Sequence, residues 1–230
     1  MDLNFKIIIL FVMIVAFSVY ITYNAVLVMF PHITVPVARR RHLENEIAYL
    51  ARIFGPPRSD FKPGFAFVLA SLLNIKPNFV LMGLAYRIFE HMQVDAASVE
   101  LDIIRVNSSR FDDSSYISGT FESDGGAQSI KIFARRDYSL QEIASVMCHE
   151  CTHFFMYSHM LSELEGGFNE NLTDIAAVFL GFSSIMLKGY DEKIRRVKTY
   201  DGILVSTSKL GYISKSDILY IRKIIRKLRK

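Results

Sequence analysis

Cysteine is scarce: Cys148 and Cys151 are the two the 230 residues contain. Two thiols three positions apart exclude a disulfide framework and fit a reducing compartment. Internal repeats and low-complexity segments are absent, which excludes a solenoid or an array. No nucleic-acid-binding motif accompanies the basic residues, so nucleic acid is not an expected partner. Charge is missing altogether from Ile7 to Phe30, and histidine is missing after His159. What is present is a chain 51% hydrophobic and 22% charged, which excludes disorder. Its length suits one globular domain with an appendage.

The uncharged run is the appendage. As a helix it would be about 36 Å long, enough to cross a hydrocarbon core of roughly 30 Å. Pro31 follows it, and Tyr20 and Tyr23 lie in its second half. The alternative is a cleaved signal peptide. Against that, the preceding segment offers Lys6 alone as a basic side chain, and no small-x-small cleavage site follows the run. An uncleaved transmembrane helix is therefore expected. Arg39, Arg40 and Arg41 outweigh Lys6 across it, which places the globular part in the cytoplasm. The net charge of +4 has a second source in the tail "RKIIRKLRK", residues 222–230. Its alternation of basic and apolar residues reads as the end of an amphipathic helix, able to touch anionic lipid or simply solvated.

Beyond a proline-containing linker (31–41), Leu43, Ile47, Leu50 and Ile53 have helical spacing. "GPPRSD" breaks the chain. Residues 64–75 form an apolar run too short to span a membrane, which suits a buried helix, and 78–92 continue as helix. The pattern then turns to strands: "VELDIIRV" (99–106), a short strand near 116–121, and "QSIKIFAR" (128–135) with period-two alternation. "SLQE" (139–142) is a capping box, so a helix begins there and runs to about residue 158.

That helix carries "MCHECTHFF". His149 and His153 are i and i+4, one turn apart on one face, so their imidazoles can grip one ion. Glu150 is adjacent round the helix and can reach a water at that ion as general base. This is the H-E-x-x-H arrangement of zinc hydrolases. Two residues compete for third ligand. His159 has metzincin spacing, but Met156 occupies the glycine position that lets that chain turn. Continued helix points His159 elsewhere. Glu170, in "NENLTD", follows a polar break, and Asp174 lies one turn beyond it. Glu170 is the expected third ligand, and Asp174 is placed to accept the second ring N–H of His149.

H-E-x-x-H followed by Asn-Glu-x-x-Thr-Asp resembles the gluzincins, the thermolysin-like zinc metallopeptidases, over roughly residues 128–182. The chain is also similar to a group of small bacterial zinc-peptidase-like proteins. The resemblance implies His149, His153 and Glu170 as Zn2+ ligands, Glu150 as base, Asp174 behind His149, and the strand 128–135 as the edge that pairs with extended peptide substrate. It also implies a downstream histidine to stabilise the tetrahedral intermediate, which this chain lacks. Tyr212 is the expected substitute, with Tyr190 and Tyr200 as alternatives.

Cys148 and Cys151 point away from the histidine pair and read as small buried residues. His32, His42 and His91 read as structural. "IAAVFLGF" (175–182) reads as core helix. The expected fold is α+β: an N-terminal transmembrane helix over 1–30, a linker and short helix over 31–60, and a mainly helical zincin-like domain over 61–230 with a small strand layer before the zinc helix. The expected function is membrane-anchored peptide hydrolysis, with a peptide or protein as substrate and membrane lipid around the N-terminal helix. The rivals are a zinc hydrolase of non-peptide amides and a non-enzymatic membrane interaction protein that keeps its metal for folding.

Overall fold

The computed structural model describes residues 35–107, 118–124, 127–159, 169–190, 192–199 and 202–229, with backbone alone for Asp124, 192–199 and 202–209. The expected span Ile7–Phe30 lies outside the described residues. Val37–Lys230 forms one compact unit, and it is mixed α+β. In order it comprises α1 (Val37–Phe54), α2 (Phe65–Leu72), α3 (Asn78–Met92), β1 (Glu100–Val106), β2 (Gly119–Asp124), β3 (Ala127–Arg135), α4 (Leu140–Ser158), α5 (Glu170–Ala177), a π-turn (Val178–Phe182), α6 (Ser183–Gly189), β4 (Glu192–Thr199), β5 (Gly202–Lys209) and α7 (Lys215–Leu228).

Helix α1 buries Leu43, Ile47 and Leu50, one stripe at helical spacing. It starts at Val37, so the expected linker gives up its three arginines to the helix. Pro36 immediately before the first turn is a natural start, and the arginines have work there. Arg39 pairs with Asp217 of α7 at 3.2 Å, and Arg40 lies over the Tyr220 ring.

The apolar run at 64–75 departs further from expectation. It is helical only over Phe65–Leu72, and it buries Phe67 and Ala70 while leaving Phe65, Leu69 and Leu72 exposed. Two turns of helix can press one side onto α3 and α4, and no described element covers the other.

Strand β3 is central rather than an edge. It pairs parallel with β1 and antiparallel with β2. Its alternation holds: Ile130, Ile132 and Ala134 are buried, and β3 and β2 pack against α4. The substrate-pairing edge implied by the gluzincin resemblance is therefore not β3, because both of its sides are already hydrogen-bonded. Among the described residues β2 pairs on one side only.

From Glu170 to Gly189 the chain is long and apolar enough to cross a membrane, but nearly all of it is buried inside the protein. It is the core. The run kinks at Gly181, whose φ of 98° favours glycine. A side chain there would strike the Ser59 carbonyl. The segment 58–61 passes through this kink and takes up the carbonyls it frees. Arg58 N–H donates to Phe179 and Phe61 N–H to Gly181, while His91 Nε2 donates to Leu180 at 2.8 Å. His91 is structural, as expected.

Helix α7 commits its apolar stripe, Ile218, Ile221 and Ile225, to the interior. Arg222 and Arg229 reach back to Asp60 of the same 58–61 segment. The tail's apolar stripe is thus spent on the interior, and Lys223, Arg226, Lys227 and Leu228 face outward. The β4–β5 hairpin was not anticipated.

Candidate metal centre

Helix α4 is fixed at its start by the expected capping box. Ser139 Oγ accepts from Glu142 N–H at 3.2 Å, and Glu142 Oε2 accepts from Ser139 N–H at 2.7 Å. The helix is then buried almost all round from Leu140 to Met156. Burying polar groups is costly unless each finds a partner. Ser145 and Thr152 donate back to the carbonyls of Glu142 and Cys148, which leaves His149, Glu150 and His153, each 7% exposed.

The two histidines converge with Glu170, the first residue of α5. Asn169 caps that helix by accepting from Asn171 N–H, and a carboxylate in the first turn suits the helix dipole. Glu170 Oε2 lies 2.9 Å from His149 Nε2 and 3.1 Å from His153 Nε2, and the two Nε2 atoms are 3.0 Å apart. Among the described residues this is the group whose ligand atoms can hold a metal ion. The donor set fits one. Tetrahedral zinc with bonds of about 2.0–2.1 Å places neighbouring ligand atoms roughly 3.3 Å apart, close to the triangle found here.

Behind the triangle, Asp174 is fully buried and saturated. A carboxylate has about four lone-pair sites. His149 Nδ1 takes one at 2.8 Å, the Tyr190 hydroxyl donates to another, and the N–H groups of Tyr212 and Ile213 donate at 2.7 and 3.1 Å. Gly211, at φ 80°, turns the chain so that these amides face the carboxylate, and its missing side chain leaves room for the Tyr190 ring. Asp174 is thus in hydrogen-bond contact with His149 Nδ1. Tyr190 is removed from the candidates for transition-state contact, since its hydroxyl is buried on Asp174. Tyr200 lies outside the described residues. Tyr212 is 55% exposed, with its ring stacked on His149 at a centroid distance of 5.5 Å. Thr173 Oγ1 lies 3.4 Å from His153 Nδ1, a contact spacing alone did not single out.

Glu150 has its own niche. A side chain at Gly119 would come 2.7 Å from Glu150 Cγ and Oε1, so the first residue of β2 must be glycine for Glu150 to stand where it does. Burial pushes the Glu150 carboxyl up to about 7, reinforced by the charges of Glu170 and Asp174 and opposed by His149. A carboxyl poised near neutrality can take and return a proton. For His149, burial opposes the charged form, but hydrogen bonds to Asp174 and Glu170 overcome it and raise the ring to about 10. His153 moves down, chiefly by burial. Burial would raise Glu170, but its bonds to both rings hold it at about 2, so it is a full anion.

The decoys fall away. His159 closes α4; its Nδ1 donates to Phe155 O at 2.8 Å and its ring leans on Phe155 and Phe54. Cys148 and Cys151 are fully buried, and burial pushes both thiols up, away from the thiolate that binds metal. Comparison with known proteins is silent: no family model, no curated protein and no solved structure matches this chain.

Proposed function

We propose that the chain is a zinc metallopeptidase of gluzincin type, anchored in a membrane by Ile7–Phe30 with its catalytic unit in the cytoplasm. The observation that carries this reading is the convergence of His149, His153 and Glu170 within about 3 Å of one another, with Glu150 buried beside His149 on the same helix. When bound by those three groups, zinc supplies Lewis acidity and lowers the pKa of water towards neutrality. Glu150 accepts the proton of the attacking water at a carboxylate oxygen, and returns it to the nitrogen of the departing amine. Asp174 fixes the His149 tautomer by accepting from Nδ1, which leaves the Nε2 lone pair for the metal. Tyr212, exposed beside His149, is the donor to the developing oxyanion. An extended peptide adds to the open side of β2, whose Gly119 brings it next to Glu150.

Glu150→Gln in the full chain tests this reading. Peptide-library hydrolysis falls by roughly 10²–10⁴ while zinc content stays that of wild type. Undiminished turnover by the variant removes the mechanism. The low exposure of His149 and His153 favours one rival, a metal retained for folding. That rival is upheld if zinc is present at about one per chain and wild type cleaves no peptide offered.

A further inference from the structure

Helix α2, the turn after it and the start of α3 present an apolar surface that no other described element covers. Phe65, Leu69, Leu72, Leu73, Ile75 and Phe79 are all exposed, Phe65 and Phe79 to 71% and 74%. On α2 the exposed set recurs at i, i+4 and i+7, one face of the helix. Single exposed apolar residues need no explanation, but a contiguous group of large ones marks an interaction surface. The group is held firmly. Gln141 of α4 donates to Ser71, and Lys76 Nζ donates to Tyr138 O and Arg136 O. Arg87 donates to Lys62 O.

The charges within the segment have one sign, and Asp60 and Glu90 flank it beside Lys62 and Arg87. From Phe61 to Phe89 the chain contains Lys62, Lys76 and Arg87 and no acidic residue. With Asp60 already held by Arg222 and Arg229, the surround is net positive, so an isologous pairing of two copies would set like net charge against like. A surface of anionic headgroups over an apolar interior complements both features, because cations settle among headgroups while aromatic and aliphatic side chains enter the acyl boundary.

We propose that this α2–α3 face lies in the interface of a bilayer containing anionic lipid. The proposal goes beyond the peptidase reading and does not need it. It draws on the anchor reading for one point, that the unit is held at a membrane.

The chain contains no tryptophan, so Phe79→Trp and Leu72→Trp each introduce a unique fluorophore at an exposed position. The full-length variants are reconstituted in phosphatidylcholine vesicles with and without phosphatidylglycerol. The expected result is loss of emission to lipids brominated on the acyl chain, a shift to shorter wavelength, and shielding from aqueous iodide, all strengthened by phosphatidylglycerol. Protein that stays with the vesicles while the indole answers only to iodide overturns the proposal and leaves the anchor reading standing. An indole shielded from both quenchers means that a second copy or residues 1–30 cover the face, and also overturns it. Protein that does not associate with vesicles overturns both readings.

Discussion

Helices α2 and α4 are joined by the bond from Gln141 to Ser71, yet they depart from ordinary burial in opposite directions. Helix α4 turns His149, Glu150, Thr152 and His153 inward. Helix α2 turns Phe65, Leu69 and Leu72 outward. Both departures cost free energy, and the difference lies in what offsets them. His149 and His153 meet Glu170, Thr173 and a saturated Asp174 from α5, and Thr152 bonds back to the Cys148 carbonyl. The apolar face of α2 meets nothing among the described residues. Places where local rules break are where function concentrates, and here they divide into two kinds. The polar interior is a chemical site completed from within, and the apolar exterior is a contact to be completed from outside.

The largest effect expected is at the inner site. Glu170→Ala removes the anion that draws the two rings together. Metal analysis should show zinc falling from about one per chain to near none, since three protein ligands are needed to hold a catalytic ion. His159→Ala, at the helix end, should keep its metal. Loss in the second variant without loss in the first would transfer the third ligand to His159 and undo the comparison.

The next effect sets phenylalanine against phenylalanine. Phe89 of α3 is buried, with its ring 5.9 Å from Phe154 of α4; Phe79 of the same helix is exposed. Thermal or urea unfolding should show Phe89→Ala costing about 3–5 kcal/mol and Phe79→Ser within about 0.5 kcal/mol of wild type. Equal losses would mean that Phe79 is covered in solution by part of this chain or by a second copy.

A smaller effect sharpens the inner site. Gly119→Ala puts a methyl against Glu150 and Val146. Overpacking of this kind costs about 1–3 kcal/mol. If the side chain that yields is Glu150, turnover falls about tenfold per 1.4 kcal/mol lost from the transition state, with zinc content unchanged. Zinc loss instead would place the strain on the ligands.

Much of the inner site was legible because its grammar is local. The capping box of Ser139 and Glu142 sets the helix register, and the i, i+4 spacing of His149 and His153 then follows from helix geometry. The pairing of that helix with Glu170 and Asp174 was readable through a shared spacing. Other parts depend on residues far apart in the chain. Nothing near Gly119 indicates that it makes room for Glu150, and nothing near Gly181 indicates that the 58–61 segment passes there. Tyr190 and the 211–213 turn join Asp174 only once the chain has folded back. The β4–β5 hairpin escaped notice because Ile194 and Val197, three apart, spoil the period-two alternation. The outward face of α2 was misread for a different reason. An apolar octapeptide signals burial, and local sequence does not say which of its sides finds cover.

The smallest effect concerns why α2 is held in place without cover. The segment that leads into it is tied to α7 through Asp60, which accepts from Arg229 at 2.7 Å and Arg222 at 3.4 Å. Burial alone would raise the Asp60 carboxyl, but the two guanidinium groups outweigh it and hold the carboxyl below its ordinary value. A carboxyl depressed on folding stabilises the folded state above its unfolded pKa of about 3.9, and that contribution is lost as pH falls through the folded value. Asp60 is partly exposed, so solvent screening keeps the contribution to well under about 1 kcal/mol. Urea unfolding should therefore find Asp60→Asn slightly less stable than wild type at pH 7, with the gap closing below about pH 4. A gap that persists unchanged in acid would show that the ion pairs add nothing. The backbone bonds of Arg58 and Phe61 to the Gly181 kink would then be what fixes the approach to α2.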